Sequence, residues 1–589
     1  MKKILAGLAA GALTTSLMVT SAAYALDDDM VADKTPAPEN VIQIPQRAAE
    51  RLTEACSLYS FVLNQVDQHH ISGKTQTDHA VIAKAALREM LRVNFEYHSR
   101  QNSDLDIALE YETVDGEDVI SALRIDDKVI NVTPMTTAAG TYSDHCSYLG
   151  ATAKEIQELT GTDILRSVEY AVNGALKASR GDVHTSYRWI DENDRSMDAL
   201  QGNFVGIGVT IEQDDNGRTV ITQTFSDSPA ERAGIQADDV ISAIDGQSVD
   251  GLDLQGISNL LRGQRHTDVE IEITRDGRQP FTVTVTRDQV RVDPITSRII
   301  GEHNDTAYLR ISTFSHGTAD SLHEHLDKIA AEQGKNGTPI RNIVIDVRGN
   351  GGGLLDDALK ISDTFIPSGG DPDKKILHTA GGAGGTRSYY ADTLSPFTVQ
   401  GVNVIILQDG GSASASEVVA GALQDNGHIV IGQYSFGKGS VQIQRPVGNP
   451  RNPSPYGQLK ITVSMFYPGD GLSNQVSGVI PNIKVEFNDF RDDQDKERRR
   501  EGSLNNNSLI PLEKTRDGQT PDKICSLKTE FSGYLSPEAR EQLPEHLQMR
   551  VRNHENPTRT SHVIDADLAC TFHYLNGDDT YTTIRKFAP

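Results

Sequence analysis

The chain has 589 residues, 37% of them hydrophobic, with four cysteines and a formal net charge of −26. That length holds roughly three or four domains, each able to bury a core of its own. The acidic balance repels nucleic acid and anionic membranes, and no apolar run after the N-terminus reaches the roughly 18 residues a transmembrane helix needs.

Residues 1–25 have the pattern of a signal peptide. Lys2 and Lys3 form a basic head, Ile4 to Val19 is apolar and small, and Ala23-Tyr24-Ala25 fits the small-x-small cleavage rule ahead of Asp27 to Asp29. The mature protein is therefore expected to be periplasmic or secreted, with no stable membrane insertion. In an oxidising compartment Cys56, Cys146, Cys525 and Cys570 are expected to form disulfides. Two lie before the central region and two after it, so Cys56–Cys146 with Cys525–Cys570 is preferred among three connectivities. Their spacing is too wide for a zinc knuckle, and neither a metal nor another cofactor is expected.

Residues 26–46 are polar and contain proline, and read as a flexible lead-in. Residues 47–92 carry helical periodicity through Leu52, Cys56, Tyr59 and Val62, and again through Val81, Ala85 and Leu91. Residues 93–160 mix strand-like runs, Leu105 to Tyr111 and Val129 to Val132, with loops. The N-terminal region, 26–163, is thus partly helical. A further helix, Ile164 to Ala178, opens the segment 164–202 and leads to Val183-His184-Thr185-Ser186-Tyr187.

Residues 203–287 read as a compact β-rich unit. Val205 to Ile211 and Thr219 to Thr224 are strand-like across Asn216-Gly217. Ser228-Pro229-Ala230 starts a short helix and Gly234 ends it. Asp239 to Ile244 is a strand, Leu254 to Leu261 a helix, and Val269 to Thr274 with Phe281 to Thr286 a hairpin. This order, with Gly206-Ile207-Gly208-Val209 and Ser228 to Ile235, resembles a bacterial PDZ domain. The resemblance implies that Gly206, Ile207, Gly208 and Val209 bind the C-terminal carboxylate of a peptide that adds as a β-strand.

Residues 288–487 alternate strands and helices, an α/β pattern. Ala307 to Ile311, Ile343 to Val347, Val404 to Leu407, His428 to Ile431 and Leu459 to Met465 are the strand candidates. Three are near-continuous apolar runs, as expected of strands buried on both faces. Residues 488–508, charge-rich then Asn-rich, read as a linker, and 509–589 as a small C-terminal domain.

The chemistry concentrates in two segments. Gly411-Ser412-Ala413-Ser414-Ala415-Ser416-Glu417 heads a helix over 415–425, so Ser414 sits where unpaired N–H groups and the helix dipole favour negative charge. Ser414-x-x-Glu417 is also the spacing of a capping box, which needs no catalysis, and Ser412 and Ser416 remain alternatives. Phe436-Gly437-Lys438-Gly439 sets a lysine between glycines after a buried strand. A lysine base must be neutral, which burial favours. Lys438 is then the candidate base for Ser414, with Gln442 to orient its amine. Gly432-x4-Gly437-Lys438 also approaches a Walker A loop but lacks the following Ser or Thr. Asp346-Val347-Arg348-Gly349-Asn350-Gly351-Gly352-Gly353 is a glycine-rich turn able to aim N–H groups at an oxyanion.

With Val183 to Tyr187, the PDZ elements and Gly478-Val479-Ile480-Pro481-Asn482-Ile483, these motifs make residues 164–487 resemble the carboxyl-terminal processing, or tail-specific, proteases of the S41 serine peptidase family. The resemblance implies a crotonase/ClpP-like α/β core with an inserted PDZ domain. It implies Ser414 as nucleophile, Lys438 as general base, Gln442 as orienting residue, and Gly352 and Ala415 N–H groups as the oxyanion hole. It departs from the family in having Gly351 where proline is usual and a Ser414-to-Lys438 interval one residue short. The expected partners are proteins or peptides with free C-termini, with self-association or an adaptor protein left open. Two other functions fit parts of this pattern: a catalytically silent PDZ-based adaptor, and an acyl-CoA enzyme on the same core, which an export signal disfavours.

Overall fold

The structure, a computed structural model, describes residues 51–101, 107–131, 141–189, 203–392, 401–448 and 455–486, apart from short gaps within them. It also describes 42–43, 519–526, 547–552 and 560–576. The expected signal peptide, the 488–508 linker and the side chains of Cys56 and Cys146 lie outside the described residues.

A seven-stranded sheet organises the larger unit. Its order is Ile295–Ile300, Thr306–Ile311, Asn342–Asp346, Asn403–Gln408, Ile429–Gly432, Ile483–Glu486 and Lys523–Ser526. The first pair is antiparallel and the remainder are parallel. Its central strands are buried on both faces, which is why they read as unbroken apolar runs. Ile343, Ile345 and Ile406 face the helices Leu355–Phe365 and Ala415–Asp425. Val344, Ile405 and Leu407 face the opposite way, onto Leu568, Ala569 and Phe572 of the helix Ala566–Leu575.

That second face changes the reading of residues 509–589. Lys523–Ser526 extends the large sheet, and Ala566–Leu575 covers it. These described segments share the sheet's core rather than forming one of their own. Cys525 and Cys570 are disulfide-bonded, as expected, and tie the added strand to the covering helix.

A second sheet is built on the long ribbon Ser440–Gly448 and Pro455–Pro468, flanked by Lys375–Ala380, Arg387–Tyr390 and Ser186–Trp189. The helices Arg51–His69, His79–Gln101, Cys146–Thr160 and Ile164–Arg180 pack on it through Leu58, Val62, Met90 and Val172 against Leu459 and Ile461. The N-terminal region is therefore the cap of this sheet. Ile42–Gln43, inside the expected flexible lead-in, pairs in parallel with Val447-Gly448.

Residues 203–287 contain a six-stranded antiparallel sheet, ordered Phe281–Thr286, Asp268–Thr274, Val240–Ile244, Thr219–Thr224 and Val209–Gln213, with the short Gln247–Ser248 paired beside Val240–Ile244, around Ile221, Ile241, Ile257 and Ile271. The helix Leu254–Leu261 has the expected bounds because Asp253 caps it, accepting from the Gly256 N–H at 2.8 Å. The expected single strand Val205 to Ile211 is two, Asn203–Gly206 and Val209–Gln213. The break occurs where the Ile207 carbonyl accepts from Ala230 N–H and Gly208 takes φ +81°. Asn203–Gly206 pairs with Asp288–Arg291, so the chain enters and leaves this unit on adjacent strands.

Because the central strand packs on both sides, Ile405→Ala and Ile406→Ala should each cost about 2–5 kcal/mol and lower the thermal midpoint to a similar degree. A loss confined to Ile406→Ala would show that the C-terminal helix does not cover the sheet.

Candidate active site

Ser414 and Lys438 meet at the C-terminal ends of neighbouring parallel strands. Ser414 follows Asn403–Gln408 and is the residue before the helix Ala415–Asp425. Its backbone has φ +56° and ψ −112°, a conformation L-residues rarely hold. Strain of this kind persists only where surrounding contacts over-determine it. Lys438 follows Ile429–Gly432 and precedes the strand Ser440–Gly448. Its Nζ lies 3.5 Å from Ser414 Oγ, and both side chains are half-buried. The shortened interval between the two residues therefore does not separate them.

Glu417 brings the two segments together. Its carboxylate is fully buried and accepts from Ser414 N–H at 2.9 Å, Ser435 Oγ–H at 2.5 Å, Gly437 N–H at 2.8 Å and Lys438 N–H at 2.9 Å. One carboxylate thus holds the backbone of both reactive residues. Burial pushes the Glu417 carboxyl up to about 7, against these donors, which pull it down. Glu417 reaches back to the Ser414 N–H as in a capping box, and the Ser414 hydroxyl also lies 3.5 Å from the lysine amine, so capping and the approach to Lys438 coexist.

The competing serines are committed elsewhere. Ser412 Oγ–H donates to Val347 O and Ser416 Oγ–H to Asn350 O, both at 2.8 Å and both fully buried. The Walker A alternative also fails. The lysine is followed by a strand, not a helix, and its N–H is bound to Glu417.

Gly352 lies against the Ser414 turn. A β-carbon there would come within 2.6 Å of Ala413 O and 2.9 Å of Ala415 N, so only glycine fits. The Ala415 N–H has no hydrogen-bond partner among the described residues and remains available to an oxyanion. The Gly352 N–H donates to Asn350 Oδ1 at 2.9 Å, so this expected donor is engaged within its own loop.

Gln442 Nε2 donates to Ser440 Oγ at 2.8 Å and to Thr462 Oγ1 at 3.2 Å, and its amide oxygen is the atom that could accept from the lysine amine.

Beneath Thr462 lies a buried polar group. Asp182 accepts from His184 N–H and Thr185 Oγ–H, and His70 Nε2 donates to it at 3.1 Å. Burial works to raise the Asp182 carboxyl, but bonds from His70, Thr185 and Thr462 outweigh it and hold it well below the usual range. The motif around His184 thus anchors the ribbon that carries Gln442. Sequence reasoning missed Glu417 as a binding group, Asp182 and His70. Only Glu417 had a local signal, its three-residue spacing from Ser414.

The PDZ-like unit has a groove of about 320 Å³ lined by Ile207, Gly208, Val209, Ile211, Leu261 and Arg262. It runs beside Val209–Gln213, an edge strand of its sheet, so backbone groups there are open to an added strand. Of the loop expected to bind a carboxylate, Ile207, Gly208 and Val209 line this groove, while Gly206 ends the strand paired with Asp288.

Residues 305–485 match the family model described as peptidase family S41, and 220–275 match that of the PDZ domain. A carboxy-terminal-processing protease of Bartonella bacilliformis is 34% identical over 333 residues, covering 56% of this chain and 72% of that protein. Carboxy-terminal processing protease CtpB of Bacillus subtilis is 30% identical over 377 residues, 63% of this chain and 74% of the relative. Among solved structures, a photosystem II D1 C-terminal processing protease is 25% identical, covering 57% of this chain and 86% of that one, with a TM-score of 0.31. The relatives define a serine peptidase bearing a PDZ domain, whose substrates are peptides or proteins. The chain belongs to peptidase family S41.

Glu417→Gln keeps the volume but points an amide at backbone donors. The loss of hydrogen bonds to a charged group, about 1.5–3 kcal/mol, should lower kcat roughly 10- to 150-fold. In the wild type, protonation of Glu417 removes acceptor capacity, so activity should fall as pH drops through about 7. Stability should move oppositely. A carboxyl whose folded pKa is raised binds its proton first in the native state, so its contribution to stability declines from pH 4.5 to about 7 as pH rises. Glu417→Gln should remove that slope, as read by thermal melts across pH.

Proposed function

We propose that the protein is an endopeptidase that acts on C-terminal tails, with Ser414 as nucleophile and Lys438 as general base. The observation that carries this reading is the 3.5 Å approach of Lys438 Nζ to Ser414 Oγ at a strained helix N-terminus. Neutral Lys438 takes the Ser414 proton as Oγ bonds to the scissile carbonyl carbon. The carbonyl oxygen becomes an oxyanion held by the N–H groups of Ala415 and Gly352, the latter once released from Asn350. The tetrahedral intermediate collapses, the C–N bond breaks, and the lysine ammonium returns its proton to the leaving amine. Water, deprotonated by Lys438, then hydrolyses the acyl-Ser414 ester and regenerates the hydroxyl.

The core is read as crotonase/ClpP-like, with Gln442 supporting the lysine's ribbon through Ser440 and Thr462. The PDZ groove is read as the tail receptor, binding a carboxylate at Gly206 to Val209 and adding the tail to the edge strand Val209–Gln213. The names of the relatives support this reading, since both are carboxy-terminal processing proteases. Export to an oxidising compartment, periplasmic or extracellular, is supported by the Cys525–Cys570 disulfide.

An unstructured protein ending in apolar residues should be cleaved by the wild type. Ser414→Ala and Lys438→Ala should each lower kcat by roughly 10³-fold or more while retaining tail affinity. Amidating the substrate's C-terminus should raise KM. Cleavage that survives Ser414→Ala contradicts the mechanism, and indifference to amidation contradicts the tail receptor.

A further inference from the structure

Arg348 opens the loop that ends at Gly352, and its side chain is buried. A guanidinium has five N–H donors, and here every one is directed at a carboxylate. Nε and NH2 donate to Asp346 at 2.9 and 2.6 Å. NH1 donates to Asp565 Oδ1 at 2.6 Å and to Asp567 Oδ2 at 3.0 Å, and NH2 donates to Asp565 Oδ2 at 2.9 Å. Three of the five bonds therefore come from the C-terminal segment, 217 and 219 residues away in the chain. That segment lies outside residues 305–485, the part matched by the S41 family model.

We propose that Asp565 and Asp567 are positioning residues for the oxyanion loop, so that the C-terminal segment completes the active site from behind. The inference rests on the proposed role of Gly352 N–H as an oxyanion donor. Its physical basis is short and continuous. The Arg348 backbone is tied to Asp346 through its N–H and to Arg310 through its carbonyl. The next residue, Gly349, donates to Asp409 at 2.8 Å, and Asn350 then anchors both the Ala413 N–H and Ser416 Oγ–H through its carbonyl. Fixing the guanidinium fixes the start of this run. Without the two tail carboxylates, three buried donors lose their acceptors, and a buried donor left unpaired drives local rearrangement.

The segment is built to stay in place. Asp565 is also the N-cap of Ala566–Leu575, accepting from the Leu568 N–H at 3.1 Å. Leu568, Ala569 and Cys570 of that helix are fully buried against the large sheet, and the disulfide to Cys525 fastens it to the added strand. The arrangement exceeds what anchoring a helix requires, since two separate carboxylates converge on one guanidinium beside the oxyanion loop.

The test is Asp565→Asn with Asp567→Asn, because asparagine preserves the N-cap and removes the charges. Cleavage kinetics, binding of a C-terminal tail peptide, and inhibition by a peptide aldehyde are measured together. The aldehyde carbon bonds to Ser414 Oγ, and its oxygen occupies the oxyanion site. The double variant should lose about 10- to 100-fold in kcat, a fraction of what removing a whole oxyanion donor costs. Aldehyde affinity should fall in parallel, with KM and tail binding within about twofold of wild type. Unchanged kcat and aldehyde affinity would overturn the inference. If the double variant does not fold, Asp567→Asn alone is read in the same way, with a smaller loss in both quantities expected and no loss overturning the proposal. Ser414→Ala run alongside separates the two levels: if it still cleaves, the proposed chemistry has failed. If it is inactive while the aspartate variants are normal, only the role of the tail has failed.

Discussion

One buried carboxylate sets the geometry that brings Ser414 and Lys438 together. Glu417 accepts four hydrogen bonds at 2.5–2.9 Å, from the backbone of Ser414 on one segment and from the Ser435 hydroxyl and the backbone of Gly437 and Lys438 on another. A carboxylate is an acceptor only, so it suits a site where backbone donors converge. Burying it is costly unless every lone pair is used, and that cost makes the arrangement all-or-none. The same contacts hold Ser414 at positive φ with its hydroxyl 3.5 Å from the amine.

Around that carboxylate the fold supplies two rigid supports. The large parallel sheet brings the turns after neighbouring strands together at one end. This is where Arg348 to Gly352, Ser414 and Lys438 all emerge. The ribbon Ser440–Gly448 and Pro455–Pro468 carries the chain away from Lys438 and is backed by the N-terminal helices and by the buried Asp182 and His70. The PDZ domain enters and leaves through one strand pair, Asn203–Gly206 with Asp288–Arg291, so its own six-stranded sheet is complete without the peptidase sheet.

What was legible in the sequence follows from what is local. The helices 254–261 and 415–425 have the bounds their caps and periodicity predict, and the buried strands are recognisable as apolar runs. The pairing of Ser414 with Lys438 was visible because each residue sits in a distinctive short motif. Its distinction from a capping box was not, since Ser-x-x-Glu serves both purposes. Gln442 is legible through its place in the same short motif as Lys438, and its amide is held on the ribbon by Ser440 and Thr462. The expected free Gly352 donor was a matter of one side chain's rotamer, Asn350. The attachment of the C-terminal segment to Arg348 spans more than 200 residues and leaves no periodic trace.

The central claim is that a neutral lysine activates one particular serine. The direct measurement is the rate at which a fluorophosphonate labels the enzyme as a function of pH, with the modified residue located by peptide mass mapping. The account predicts label on Ser414 alone, at a rate that rises with pH between roughly 6 and 8, still rises with pH in Glu417→Gln, and collapses when Lys438 is replaced. Label on Ser412 or Ser416, or a rate on Ser414 indifferent to both pH and Lys438, would contradict it.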